Sequence, residues 1–228
     1  MNLLPTESMK RRAQESIVRW FDINGRNLPW RATSDPYGVL IAEMLLRRTT
    51  ATAVARVYST FIRRFERPEQ LARARVRTIA SVVGTLGLQN LRARHLQQTA
   101  AHIVKEFKGS IPDTMEKLAN LPGVGAYVAS AVLNFAFCLP SPLVDGNTIH
   151  LLSRLFDLEF VGPADRNAWN FIASFELGEQ NKAFYWGIID LVAMVCLRRA
   201  PRCEICPLHE LCMWRQENRP TLKTGRLS

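Results

Sequence analysis

The chain has 228 residues, of which 47% are hydrophobic, and this composition is that of an ordinary globular protein rather than a disordered one. No apolar run is long enough to cross a bilayer, and the first residues, MNLLPTESMKRRAQES, lack the apolar core of a secretion signal. Thirty Lys and Arg against twenty Asp and Glu give a formal net charge of +10, which favours a polyanionic partner, most often nucleic acid. We therefore expect a cytoplasmic, nucleoid-associated protein whose thiols stay reduced.

The first informative stretch is LPWRATSDPYGVLIAEMLLRRTT, residues 28–50. Asp35 suits an N-cap and Pro36 a first helical turn, so the pattern predicts a helix from about Pro36 to about Arg47. Glu43 lies close to the apolar side of that helix, where a carboxylate is costly to ionise unless it is paired or functional. From this helix alone, a Glu43 that merely edges the stripe and reaches solvent or an arginine is an equally good interpretation.

Two further segments predict helices that begin after turns. GLQNLRARHLQQTAAHIV, residues 87–104, predicts a loop followed by a helix, with Gln89 and Asn90 in the loop. LANLPGVGAYVASAVLNFAF, residues 118–137, predicts a short helix, a turn at Leu121–Gly125 and a second helix. Gly123 and Gly125 permit backbone conformations closed to other residues.

The turn of the second segment leaves backbone N–H groups pointing outward at a helix start, which is an anion site. On a basic protein the natural anion is a DNA phosphate, bound without regard to sequence. A plain helical hairpin with a glycine turn is the alternative. Cys138, in the apolar run AVLNFAFCLP, is predicted to be a core residue.

Asp145 stands between an apolar run and an amphipathic segment in PLVDGNTIHLLSRLF. Ile149, Leu152 and Leu155 recur at helical spacing, so Asp145 is predicted at or beside a helix start. The simplest interpretation of an acid in that position is an N-cap.

Four of the five cysteines fall in CLRRAPRCEICPLHELC, with the spacing C-x6-C-x2-C-x5-C. Four thiolates can hold zinc or an iron-sulfur cluster, but structural zinc sites usually pair two short C-x2-4-C knuckles, and this chain has one. The segment therefore predicts a metal site whose metal the spacing alone leaves open.

Together the turn, the aspartate and the cysteines resemble the helix-hairpin-helix (HhH-GPD) iron-sulfur DNA glycosylases. The resemblance covers nearly the whole chain and implies an all-α, two-lobed helix-hairpin-helix DNA glycosylase fold of about ten helices. One six-helix barrel-type lobe would span 29–145, and 1–28 plus 146–228 would form the second lobe with a C-terminal 4Fe-4S cluster loop at 196–212. The implied cluster ligands are Cys196, Cys203, Cys206 and Cys212.

The resemblance also implies catalytic roles. Asp145 matches an essential aspartate, and a carboxylate beneath C1′ would stabilise the oxocarbenium-like transition state of N-glycosidic cleavage. Tyr127 stands where members resembling endonuclease III have a lysine that forms a Schiff base; a phenol cannot, so we expect no efficient AP-lyase activity. A tyrosine there resembles the thymine-DNA glycosylases that act on T:G. Glu43 matches the glutamate that protonates the departing base in adenine-DNA glycosylases and is our candidate for recognising the flipped base.

DNA contacts follow from the same resemblance. The hairpin residues Leu121, Gly123, Val124 and Gly125 would grip phosphate, while Arg47 or Arg48 would fill the gap left by the flipped nucleotide. Gln89 and Asn90 would contact the widowed guanine. The cluster loop would present Arg198, Arg199 and Arg202 to the DNA backbone.

These expectations describe a monofunctional base excision repair glycosylase that removes thymine and uracil opposite guanine in double-stranded DNA. We expect a monomer with no nucleotide cofactor and no membrane partner. The adenine enzymes usually have two glutamines where this chain has Arg47 and Arg48, which weakens the adenine interpretation, and the chain has no room after the cluster for their additional domain. Adenine removal opposite G or oxidised G stays open, as does a non-catalytic iron-sulfur protein that binds DNA or senses redox state.

Overall fold

The computed structural model describes residues 4–218, and within that range the chain forms helices and turns with no β-strand. The predicted all-α class is confirmed. None of the described helices is both long enough and apolar enough to span a membrane. The α-helices are, in chain order, α1 (Glu7–Asn24), α2 (Pro36–Leu46), α3 (Ala51–Arg64), α4 (Pro68–Arg73), α5 (Val76–Val82), α6 (Gln89–Phe107), α7 (Met115–Ala119), α8 (Ala126–Phe135), α9 (Gly146–Phe156), α10 (Arg166–Ala173), α11 (Asn181–Met194) and α12 (Met213–Glu217).

Contacts divide these helices into two compact units. Arg26–Leu143 forms one, called here the hairpin unit, and it holds α2 to α8. The described residues up to Gly25, together with those from Val144 onward, form the other, called the cysteine-loop unit. The predicted second lobe also included residues 1–3 and 219–228, which lie outside the described residues.

Helix α2 is the central element of the hairpin unit. Asp35 caps it, with its carboxylate accepting from the N–H of Tyr37 at 3.3 Å and of Gly38 at 2.8 Å, and Pro36 occupies the first helical position. These are the residues from which the helix was predicted, and that prediction is confirmed. Every residue from Tyr37 to Leu45 is buried, because α3 and α8 pack against this helix. A helix that is covered on all sides tolerates a polar side chain only where the side chain has a specific role.

The cysteine-loop unit is held by an aromatic core and by a close helix pair. Helix α1 packs against α11, and a Cβ added at Gly187 would come within 2.6 Å of Ile17 Cγ2, so a glycine is needed for this approach. Helix α9 packs against α11 and α12. The rings that pack together around this core are Phe156, Phe171, Phe175, Phe184 and Tyr185.

Candidate catalytic and nucleic-acid-binding sites

Helices α7 and α8, with the turn between them, form a hairpin, and the start of α8 has no side-chain cap. Gly125 is the N-cap of α8, and no side chain caps that helix. Since the first N–H groups of a helix have no partner within it, the start of α8 presents donors to an anion. Leu121 and Val124 are buried, so they anchor the turn and leave its main chain for contact.

The two glycines of this turn differ in what they require. Gly123 has φ +75°, which favours glycine, and a Cβ there would lie 3.0 Å from His95 Cβ, a crowded contact. Gly125 has φ −111°, which any residue adopts, and an added Cβ would meet nothing within 4 Å. Gly123 therefore uses the conformational freedom that the sequence indicated for both glycines, and Gly125 does not. At Gly125, the missing side chain keeps the surface open.

The turn that follows α2 is joined to the hairpin. Arg47 Nη1 donates to the carbonyl oxygen of Gly123 at 2.7 Å. Arg48, next to it, has φ +55°, a left-handed conformation that is uncommon outside glycine. Both arginines are exposed. The turn at Arg47 and Arg48 is called here the arginine turn, and the turn at Leu121–Gly125 the glycine turn. The hydrogen bond from Arg47 to Gly123 brings these two predicted DNA-contact groups into one surface of the hairpin unit.

Arg92 holds the arginine turn from beneath, a role that sequence reasoning missed. Its Nη1 donates to the carbonyls of Met44 at 3.0 Å and Leu45 at 2.9 Å, and its Nη2 donates to Arg47 O at 3.1 Å and Thr49 Oγ1 at 2.9 Å. Only 8% of Arg92 is exposed, and this burial, with the nearby charge of Arg47, lowers the pKa of the guanidinium from its usual value. A cation at the carboxyl end of α2 is favourable to the helix dipole.

A cavity of about 120 Å³ lies beside this turn. Two of its lining residues, Leu88 and Leu91, are exposed leucines, with 57% and 50% of their surface accessible. Leu88 is the N-cap of α6 in a left-handed conformation, φ +49°, so α6 begins at Gln89. Gln89 and Asn90 therefore lie in the first helical turn, exposed, and not in the predicted loop. The full lining is Met44, Arg47, Arg48, Leu88, Leu91, Arg92, His95 and Leu96.

Glu43 and Tyr127 lie on two helices that pack together, α2 and α8. Only 3% of Glu43 is exposed, which rules out the interpretation that its side chain merely reaches solvent at the edge of the helix. Tyr127 is the second residue of α8 and is half-buried. An acid and a phenol on neighbouring helices can supply a proton donor and a pocket wall.

Asp145, in the cysteine-loop unit, is the N-cap of α9 and is tightly held. Its Oδ1 accepts from Asn147 N at 2.9 Å, Thr148 N at 2.8 Å and Thr148 Oγ1 at 2.7 Å, and its Oδ2 accepts from Asn147 Nδ2 at 2.8 Å. Thr148 Oγ1 also accepts from the N–H of Asp145 at 3.0 Å, which completes a capping box. The predicted cap is confirmed. Because most donors converge on Oδ1, Oδ2 keeps the greater capacity to interact with another group.

The four clustered cysteines line one cavity, together with Arg154, Leu155 and Trp214 among others. Burial raises the pKa of the Cys206 thiol to about 12 and also raises the pKa of Cys196 and Cys212. The same pKa values are raised by the charges of neighbouring members of the set, which lie close enough to repel one another when ionised.

As the described side chains stand, they do not bring three or more His, Cys, Asp or Glu into a metal-binding arrangement. The donor chemistry nevertheless fits an iron-sulfur cluster. Four soft sulfur ligands share one apolar cavity, main-chain N–H groups of Leu208 and Arg215 lie at Cys206 and Cys212, and Arg154 Nη1 lies 3.7 Å from Cys196 Sγ. A bound metal would replace the thiol protons, so the raised pKa values describe the metal-free loop.

Cys138 is placed differently from the prediction. It is exposed and has φ +56°, beyond the carboxyl end of α8, so the assignment to the core is wrong. The apolar run AVLNFAFCLP ends its helix at Phe135, and the chain leaves the core before it reaches the cysteine.

Comparison with known proteins identifies the family of this chain. Residues 41–165 match the HhH-GPD superfamily of base excision DNA repair proteins. The chain is 38% identical over 214 residues to the thymine-DNA glycosylase of Aeropyrum pernix, covering 91% of this chain and 94% of that relative. It is 35% identical over 223 residues to the thymine/uracil-DNA glycosylase of Pyrobaculum aerophilum, covering 95% and 97%. The chain therefore belongs to the HhH-GPD superfamily of base excision DNA repair proteins.

The fold agrees with that membership. A solved structure of a thermostable thymine-DNA glycosylase superposes with a TM-score of 0.88 at 30% identity, covering 92% of this chain and 98% of the other. The family predicted from the hairpin, the aspartate and the cysteines is confirmed.

Proposed function

We propose that this protein is a monofunctional DNA glycosylase of base excision repair that removes thymine and uracil from T:G and U:G mismatches. The observation that carries the proposal is the similarity, over nearly its whole length, to relatives named thymine-DNA and thymine/uracil-DNA glycosylases. Such an enzyme binds double-stranded DNA as a monomer at the nucleoid and needs no nucleotide cofactor.

DNA binding begins at the uncapped start of α8. A phosphate placed there accepts from main-chain N–H groups and meets the positive end of the helix dipole. Because Gly125 has no side chain and the space beside it is open, the DNA backbone can approach the first N–H groups of α8 closely. This contact reads no bases, so it sets the register of the protein on any duplex.

The surface beside Arg92 supports a role in base extrusion. Leu88 is exposed and apolar, as a wedge inserted between base steps requires, and its backbone is left-handed. Arg47 and Arg48 lie near it and can fill the gap left by the flipped nucleotide or donate to O6 and N7 of the widowed guanine. Gln89 and Asn90, exposed in the first turn of α6, can add polar contacts. A mismatched thymine is easier to extrude than a paired one.

Asp145 supplies the negative charge for the chemical step. As the C1′–N1 bond of the flipped nucleotide breaks, positive charge develops on the sugar, and a fixed carboxylate stabilises it more in the transition state than in the ground state. The base departs with the electron pair of the C1′–N1 bond. A water molecule forms the new bond to C1′ and gives up a proton, which passes by way of the Asp145 carboxylate to the departed base. The hydrogen bonds from Asn147 and Thr148 fix the carboxylate before the reaction begins.

Tyr127 and Glu43 shape the pocket for the base. A tyrosine cannot form the imine that leads to strand cleavage, so the product is an abasic site in an intact strand. Glu43, buried on α2, is the candidate that recognises or protonates the leaving base.

The cysteine loop would hold a cluster and make its own contacts with DNA. Cys196, Cys203, Cys206 and Cys212 would hold a 4Fe-4S cluster, whose chemistry here is that of a structural cross-link because glycosidic hydrolysis moves no electrons. Arg199 and Arg202 would face the DNA backbone, and Arg198 shares that loop.

Adenine removal is the second candidate, and the burial of Glu43 is the observation that favours it. A buried acid on α2 suits protonation of a purine, which leaves more readily when its ring is protonated. In that case, replacing Glu43 would abolish activity as fully as replacing Asp145.

One set of duplexes decides between these candidates. Labelled T:G, U:G, A:G, A:8-oxoguanine and T:A duplexes are incubated with the protein, and strand breaks are measured with and without alkali. We expect T:G and U:G to break only after alkali. Breaks in the adenine duplexes alone would transfer the function to adenine removal. Breaks without alkali would contradict the assignment to Tyr127, and no breaks in any duplex would indicate a non-catalytic DNA-binding protein.

A further inference from the structure

Three residues at four-residue spacing form one stripe on α9, namely Gly146, His150 and Arg154. This stripe meets the first residues of the cysteine loop. His150 Nε2 lies 2.9 Å from the carbonyl oxygen of Cys196, and Arg154 Nη1 donates to Leu197 O at 3.1 Å. Two successive loop residues, Cys196 and Leu197, therefore lie along α9, the helix that Asp145 caps.

Arg154 holds the loop mainly by its carbonyl oxygens. Its second amino group, Nη2, donates to the carbonyl of Arg198 at 3.1 Å, and its guanidinium lies 4.5 Å from the ring centre of Trp214. A planar guanidinium that bonds two successive carbonyls while it rests on an aromatic ring has little rotational freedom. The main chain at Arg198 is consequently held in a fixed position beside α9.

The side chain of Arg198 then returns to the beginning of the same helix. Its Nη2 donates to the carbonyl oxygen of Gly146 at 2.9 Å. A Cβ on residue 146 would lie 3.2 Å from that nitrogen, so the glycine leaves the space that the guanidinium uses. Gly146 follows Asp145 directly, and the bond therefore holds the peptide next to the carboxylate.

We propose that Arg198 is a positioning residue for Asp145, a role that rests on the proposed function of that aspartate. The guanidinium fixes the first peptide of α9 from outside the helix, while Asn147 and Thr148 fix the carboxylate from within. Arg198 and its neighbour Arg199 are both exposed, but only Arg198 donates to Gly146, so its main contribution is to the rate of base release and not to phosphate binding. Small displacements of a catalytic group lower rates by up to about a hundredfold.

The test compares Arg198→Ala with two matched charge removals. Arg199→Ala removes a neighbouring guanidinium that makes no hydrogen bond to another residue in the described part of the chain, and Arg12→Ala removes an exposed one from α1. Each full-length protein is checked for equal visible absorbance and equal melting temperature. Single-turnover release of thymine at saturating enzyme, Kd for a duplex with an abasic site at several salt concentrations, and amide hydrogen exchange in residues 144–150 are then measured.

We expect Arg198→Ala to lower the single-turnover rate about tenfold or more with Kd unchanged within twofold, and to raise exchange in the first turn of α9. Arg199→Ala should weaken Kd and reduce the salt slope by about one. The proposal is overturned if Arg198→Ala behaves as Arg199→Ala does, or if exchange at 144–150 matches that of Arg12→Ala. If Arg198→Ala does not fold, Arg198→Lys, which keeps a donor, takes its place under the same criteria with a smaller loss of rate. Absence of base release by the unaltered protein would refute the proposed function, and the exchange measurement would still decide the positioning of α9.

Discussion

Helices α8 and α9 begin twenty residues apart along the chain, and their first turns differ in what satisfies the backbone N–H groups. At α8 the cap is Gly125, which brings no side-chain acceptor. At α9 the cap is Asp145, whose carboxylate accepts from two main-chain N–H groups and two side chains. One helix start can receive an anion from outside, whereas the other already contains its anion.

The difference shows how one local element serves two steps of the same proposed reaction. A bare helix start binds phosphate, because its donors and dipole have no internal partner. A capped helix start instead holds a carboxylate rigidly and leaves one of its oxygens with capacity for the sugar. A glycine follows or forms the cap in both cases, and the presence of one acid decides between the two roles.

The largest effect is expected from Asp145→Asn. Asparagine is as good an N-cap as aspartate, so the melting temperature should change by no more than a few degrees. The rate of thymine release should fall about a thousandfold or more, because the charge that stabilises the sugar cation is gone. Single-turnover assays and a thermal melt measure the two quantities. A variant that keeps the original rate would show that Asp145 is only a cap.

Gly125→Asp would give the start of α8 a capping carboxylate, as Asp145 gives the start of α9. The new carboxylate should cap α8 and leave the fold intact, since space at that position is open. It should also repel phosphate and occupy the donors, so we expect Kd for any duplex to weaken at least tenfold. Gly125→Asn, which caps without charge, is the control and should lose less affinity. Equal affinity for all three proteins would mean that α8 does not bind phosphate.

Arg92→Leu tests the support beneath the arginine turn. The substitution removes four hydrogen bonds and leaves the carbonyls at the end of α2 without their donor, so we expect a loss of about 3 kcal/mol in the free energy of unfolding. Chemical denaturation measures it. Arg94→Leu, at an exposed position of the same helix, should change stability by less than about 0.5 kcal/mol. Equal free energies of unfolding for Arg92→Leu and Arg94→Leu would show that Arg92 does not support the arginine turn.

Gly123→Ala should lower stability less than Arg92→Leu does. Alanine is strained at φ +75° and its Cβ would press against His95, so a loss of about 1–2 kcal/mol is expected. Gly125→Ala should lose less than half of that, because its backbone is ordinary and its surroundings are open. Equal losses would indicate that the two glycines are required for the same reason.

The features predicted correctly from the sequence are those that residues close together in the chain determine. Asp35 and Pro36 define the start of α2, and Asp145 defines the start of α9, because a cap and its helix are neighbours in sequence. Sequence reasoning could not reach Arg92, whose partners lie more than forty residues away. It also misplaced the start of α6, since Leu88 caps that helix by a left-handed conformation and not by a recognisable side chain. The prediction that Cys138 is a core residue was wrong for a similar reason. Where an apolar run leaves the core depends on residues that are distant in sequence and close in space.

The burial of Arg92 changes what the net charge of the protein means for DNA. The formal value of +10 treats every cation as available to a phosphate. Arg92, however, faces carbonyl oxygens inside the protein, and Lys10, 7% exposed, donates to Ser174 in the same manner. Such cations release no counterions when DNA binds, so the number of ions displaced follows the exposed arginines and lysines at the interface and not the composition of the chain.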